Sequence, residues 1–138
     1  MKRTIPLAII LLFLYTQKMY SQNLSDYTWK NRILILTDTD SERSSSKRAF
    51  DLVNSQLNSW QERDVVVLFL FNKNLTTISQ ERINYEREFP EKFNGYILIG
   101  KDGGIKLKET YPLIPKKVFD LIDGMPMRQA EMRANNDQ

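Results

Sequence analysis

Apolar and polar positions along the chain alternate between three unbroken apolar runs and longer polar stretches. "RILILT" (Arg32 to Thr37), "DVVVLFLF" (Asp64 to Phe71) and "GYILIG" (Gly95 to Gly100) are the runs. Short apolar runs rich in Ile, Val and Leu suit strands covered on both faces. After the first run, "DTDSERSSS" (38–46) offers several helix caps. Phe50, Val53, Leu57 and Trp60 then recur at helical spacing, with Ala49 and Leu52 beside them. This predicts a helix to about Trp60. "NKNLTTISQ" reads as a loop. Thr77 and Gln80 fit a capping box for a weaker helix over 79–89, carrying Ile83 and Phe89 and stopped by Pro90.

In "KDGG", Asp102-Gly103 is a type I′ hairpin signal, and "IKLKE" alternates apolar with charged as a half-exposed strand does. "PKKVFDLID" (115–123) predicts a helix with Pro115 at its start and Gly124 ending it in the left-handed conformation. Pro126 opens a second short helix, "PMRQAEMR", before a frayed tail at 135–138. Upstream, Tyr27 and Trp29 are expected to tuck against the first strand. The order is β-α-β-α-β-β-α. A mixed four-stranded sheet with helices on both faces in that order resembles the thioredoxin core, an α/β fold.

The first residues change the picture of charge. Lys2 and Arg3 precede an apolar stretch, Ile5 to Tyr15, shorter than the roughly 20 residues of a membrane-spanning helix. This pattern predicts a signal peptide over 1–21, with Ser21 before the cut and Gln22 after it. An uncleaved N-terminal anchor is the other reading of the same segment. The expected product is exported, periplasmic or secreted, with no stable membrane insertion after cleavage. One domain is expected over 22–134.

The whole chain carries 20 Lys+Arg and 17 Asp+Glu. Lys2, Arg3 and Lys18 belong to the leader, which leaves 17 of each sign in the rest. The basic balance is therefore a property of the leader, and no nucleic-acid footprint is expected.

There is no cysteine and no histidine. Thiol redox chemistry, Ser-His or Cys-His nucleophile pairs and imidazole metal sites are thereby excluded. Serine cannot stand in for a redox thiol, because its hydroxyl stays protonated and forms no disulfide.

"GYILIGKDGGIKLK" followed by "VFDLIDGMPMRQAEMR", together with "WKNRILIL" near the start, resembles a family of small exported bacterial domains of unknown function. Relatives of that family include domains of vertebrate extracellular equarin-like and sushi-repeat-containing proteins. The resemblance implies a thioredoxin- or peroxiredoxin-like fold and export. It implies no activity.

Three places could carry chemistry. An apolar strand followed by Asp38-x-Asp40 resembles the first motif of haloacid-dehalogenase-type phosphatases, in which the two carboxylates act beside Mg²⁺. The chain is short for that fold and lacks its later acidic metal motif. Helix capping is the simpler use of both residues. Lys101 and Asp102 stand in the hairpin turn, which lacks phosphate-loop spacing. Arg128 and Gln129 stand in "MPMRQAEM", where Arg128 could clamp Asp123, Asp102 or a partner's carboxylate. The expectation is a non-catalytic binding module for an unknown protein or small molecule, with no cofactor and no metal. A carboxylate-based, metal-dependent hydrolase at Asp38 and Asp40 is the alternative.

Overall fold

The computed structural model describes residues 22–138, so the leader reading over 1–21 lies outside the described residues. Seven strands form one mixed sheet: β1 Gln22–Asn23, β2 Arg32–Thr37, β3 Val65–Phe71, β4 Asn74–Thr76, β5 Arg82–Asn84, β6 Gly95–Ile99 and β7 Ile105–Thr110, in the order β1-β5-β4-β3-β2-β6-β7. Helices α1 Ser44–Ser55 and α2 Leu57–Glu62 join β2 to β3. Helices α3 Pro115–Asp123 and α4 Pro126–Asn136 close the chain. α4 thus continues past Arg133, where "PMRQAEMR" ends.

The three apolar runs are the central strands β3, β2 and β6. Their alternate residues feed two cores. Leu34, Leu36, Val65, Val67, Tyr96 and Leu98 meet Ala49 and Val53 of α1, Trp60 of α2, and Val118 and Ile122 of α3. Trp60 is fully buried, its ring 4.6 Å from that of Phe119 in an edge contact. On the other face, Ile33, Ile35, Leu68, Leu70, Ile97 and Ile99 are covered by Leu24, Tyr27, Tyr85, Phe89 and Phe93. Each buried aliphatic side chain contributes about 1.5–3 kcal/mol, against at most about 1 kcal/mol for an exposed ion pair. The double-sided centre therefore dominates stability.

Several expectations are corrected. The sheet has seven strands rather than four. Helices α1, α2 and α3 pack on one face only; the other is covered by a 3₁₀ turn at Leu24–Tyr27 and the extended segment 85–93. No helix spans 79–89. Thr77 instead closes a tight turn: its N–H donates to Glu81 O, its O accepts from Gln80 N, and Gln80 takes a left-handed φ of 63°. The chain then re-enters the sheet as β5. Ile83, Tyr85 and Phe89 alternate with polar neighbours, and this period of two outweighs their loose helical spacing. Since the link from β3 to β6 is not a helical crossover, β6 runs antiparallel to β2, whereas β2 and β3 are parallel.

The type I′ turn joins β3 to β4 rather than β6 to β7. Asn72 and Lys73, at φ 47° and 63°, form the two-residue type I′ link between β3 and β4. The 100–104 turn places only Gly103 at positive φ, 83°, with Gly103 N donating to Gly100 O and Gly100 N to Gly104 O. That is a three-residue loop with a bulge glycine. Gly124 is right-handed rather than left-handed (φ −80°), because the chain leads straight into α4. The helix read as continuous to Trp60 breaks at Gln56 (φ −133°), which leaves Leu52 and Leu57 exposed.

Candidate functional site

The junction after β2 is built around Asp38. Its carboxylate is buried and accepts from Thr39 N at 3.1 Å and Ser46 N at 2.8 Å, an otherwise unsatisfied donor in the first turn of α1. Asp40 lies on the surface and accepts from Ser44 N at 3.4 Å and Ser44 Oγ at 3.2 Å. Both aspartates hold the start of α1, whose preceding residue Arg43 is left-handed (φ 55°) with its guanidinium over Phe71. Behind Asp38, Tyr111 donates its hydroxyl proton to Thr37 O. Burial, and then the nearby Asp38 charge, push that phenol well above its ordinary range. Among the described residues no group of three acidic side chains stands close enough to hold a metal ion.

Lys101, Arg128 and Arg32 belong to a second cluster, where α4 meets the start of β2 and the end of β6. Arg32 donates to both oxygens of Glu131 at 3.2 and 3.3 Å and to Arg63 O at 2.9 Å. Lys101 Nζ donates to Glu131 at 2.6 Å and Asp64 at 2.8 Å. Arg128, 2 % exposed, donates to Glu62 O, to Glu62 Oε1 at 3.0 Å and to Asp123 Oδ1 at 3.3 Å. Arg63 binds the same Asp123 with two parallel bonds.

Four cations thus face four carboxylates. Burial raises Glu131, but Lys101 and Arg32 outweigh it and hold the carboxyl below its usual range. Arg63 and Arg128 do the same for Asp123 against its burial. Burial likewise opposes the charge on Lys101, yet Asp64 and Glu131 raise its pKa. Of the other two surface candidates, Asp102 closes its own hairpin through Gly104 N and Lys106. Gln129 is exposed on α4.

The non-helical face carries two clefts. One, of about 640 Å³, opens at the carboxyl ends of β2 and β3 between Asp38, Asn72, Lys73 and segment 87–93. Thr37, Tyr85, and the Lys73–Glu91 ion pair on its walls are bonded within the protein. The other, of about 370 Å³, lies at the opposite end, over Ile33 and Ile99, between the 3₁₀ turn, the Asn84–Arg87 segment and the 100–103 hairpin.

Arg87 lines both clefts. Its Nη2 donates to Gly103 O, while Nη1 is buried without a protein partner and beyond the reach of a solvent-sized atom. It serves as a partition and a tie. Around the smaller cleft, the hydroxyls of Ser25 and Thr28 and the carboxylate of Glu86 make no hydrogen bond or ion pair among the described residues. The sequence does not single out these groups, because they come from two segments far apart in the chain, the 3₁₀ turn with Thr28 and the extended strap at Glu86. Trp29, expected to tuck against the first strand, is instead 67 % exposed, at a left-handed φ of 67°.

The zebrafish (Danio rerio) "Coiled-coil domain-containing protein 80" is 27 % identical over 134 residues, covering 79 % of this chain. The chain spans only 15 % of that relative's length. No solved structure matches. Residues 23–131 match the model described as "Domain of unknown function (DUF4174)", and the chain belongs to that family.

Proposed function

We propose that this protein is an exported, non-catalytic binding module built on a thioredoxin-like core, with its ligand surface on the non-helical face of the sheet. The order β3-β2-β6-β7 with β6 reversed supports the kinship of the core. The strap and the 3₁₀ turn added beyond that core line the clefts together with residues of the core strands. The N-terminal pattern of cations and apolar residues supports export.

One observation carries the non-catalytic reading. At the carboxyl end of β2, where this class of sheet places its chemistry, the buried carboxylate of Asp38 is engaged by two backbone amides of the turn and helix it holds. A nucleophile needs a free lone pair aimed at substrate and a base or metal beside it.

The test is paired. Purified protein should hydrolyse p-nitrophenyl phosphate with Mg²⁺ no faster than buffer, and Asp38→Asn and Asp40→Asn should leave that baseline unchanged. Immobilised protein should also retain an envelope component that is lost when Ser25→Trp fills the smaller cleft. Mg²⁺-dependent turnover abolished by both aspartate substitutions in folded protein would establish the hydrolase alternative instead.

A further inference from the structure

We infer that the larger cleft, at the carboxyl ends of β2 and β3, binds an organic acid with an apolar body, and that Arg87 receives its carboxylate. This rests on the non-helical face being a ligand surface, and it assigns a ligand class to a part of that face that Ser25→Trp does not touch. Arg32, Arg63, Lys101 and Arg128, the other buried or half-buried cations among the described residues, each meet a carboxylate at 2.6–3.2 Å. Arg87 is also half-buried and meets none among the described residues. Its Nη2 donates to Gly103 O, and its Nη1 is buried without an acceptor. Taking a guanidinium out of water is costly unless a counterion and hydrogen bonds compensate. The four paired cations show the molecule's ordinary solution, and Arg87 departs from it.

An acid for Arg87 is not missing from the sequence, since Glu86 and Glu88 flank it. In an extended segment successive side chains point to opposite sides. Neither glutamate turns to the guanidinium, and both stay exposed without an ion pair among the described residues. The fold thus brings a cation to the cleft wall and keeps the neighbouring carboxylates off it. The counterion comes from outside.

The surroundings select the larger of the two clefts that Arg87 lines. The smaller has no other cation on its wall, whereas the larger has Lys73 and Lys92. Of the three acids there, Asp38 is engaged by two backbone amides and Glu91 by Lys73, which leaves Arg87 and Lys92 against Glu88 alone. Leu70 and the half-buried rings of Tyr85, Phe89 and Phe93 supply apolar surface in the same cleft. Its volume of about 640 Å³ suits a small molecule. A guanidinium fits a carboxylate with two parallel bonds, and the apolar groups cover the body of the acid. Capture exchanges the single bond to Gly103 O for that pair and gives Nη1 its acceptor, a side-chain rotation of a kind common on binding.

Purified protein should be titrated by ¹H–¹⁵N NMR with hexanoate and with phenylacetate, each beside its neutral amide, and with inorganic phosphate. At least one acid should give saturable shifts in the amides of 37–39, 72–73 and 87–93. It should bind roughly tenfold or more tighter than its amide or phosphate. Arg87→Met should remove most of that difference. Arg87→Lys keeps the charge but loses the two-pronged geometry, so it should also weaken binding, and it serves alone where Arg87→Met does not fold. Denaturation midpoints check the folding of both. No saturable shift with either acid, equal affinity for acid and amide, phosphate bound as tightly as the acids, shifts confined to the smaller cleft, or undiminished affinity in a folded Arg87 variant would each overturn the assignment. The acid site would then be wrong, while retention of an envelope component and its loss in Ser25→Trp would still stand for the module.

Discussion

Two residues show how tightly single positions are set. A Cβ built on Gly95 would lie 2.0 Å from Glu109 O and 2.7 Å from the Phe93 ring. Its amide donates to Thr37 Oγ1 at 3.0 Å, so it cannot back away without breaking the link between β6 and β2. Gly95→Ala should therefore cost about 2 kcal/mol or more by urea denaturation, as overpacked sites do. Asp38→Ala removes a helix cap and strands the buried Ser46 amide, a loss of about 1–2 kcal/mol. Asp38→Asn keeps an acceptor oxygen and should lose less. The capping use of Asp38 and Asp40 is legible in the chain, because acidic residues between an apolar run and a helix commonly serve that end. Trp29 is not legible: nothing in its neighbours reveals a left-handed backbone.

At the scale of elements, α4 stands apart. Its one fully buried residue is Arg128, so it is held by ion pairs where the other helices are held by apolar side chains. The signs of its titrations follow. Asp123 and Glu131 have lowered pKa values, so their stabilisation is present above the ordinary carboxylate range near 4 and is lost as pH falls through the lowered values. Lys101 is raised, so its share is lost only as pH climbs past its folded value, above the ordinary lysine range near 10.4. Amide protection factors in α4 should thus fall below about pH 4 and in high salt before those of β2 change. Arg128→Ala should destabilise by about 1–3 kcal/mol. Sequence spacing shows Arg128 near Asp123, five residues away, but gives no hint of Glu62 from α2. The segment after Thr77 shows a different failure, for Ile83 and Phe89 satisfied a helical template while Tyr85 between them marked alternation.

For the whole molecule, the central strands are legible because a run buried on both faces needs no partner's pattern to be recognised. The outer strands β1, β4 and β5 are two or three residues each and carry too few positions to show a period. The same strands β2, β3 and β6 supply both cores, so neither face can melt alone. Unfolding followed by Trp60 fluorescence and by far-ultraviolet circular dichroism should coincide in one transition. Separate midpoints would mean that the two faces are independent units.

The one-sided placement of the helices also bears on how such a chain can change over evolutionary time. A helix packed on a sheet must keep its stripe of side chains in register with the strands below, so most alterations there disturb several contacts at once. The turn and strap on the opposite face meet the sheet through a few isolated side chains, with loops between them that tolerate insertion and exchange. Homologous chains can therefore hold one scaffold constant on the helical side while remodelling the other for different ligands.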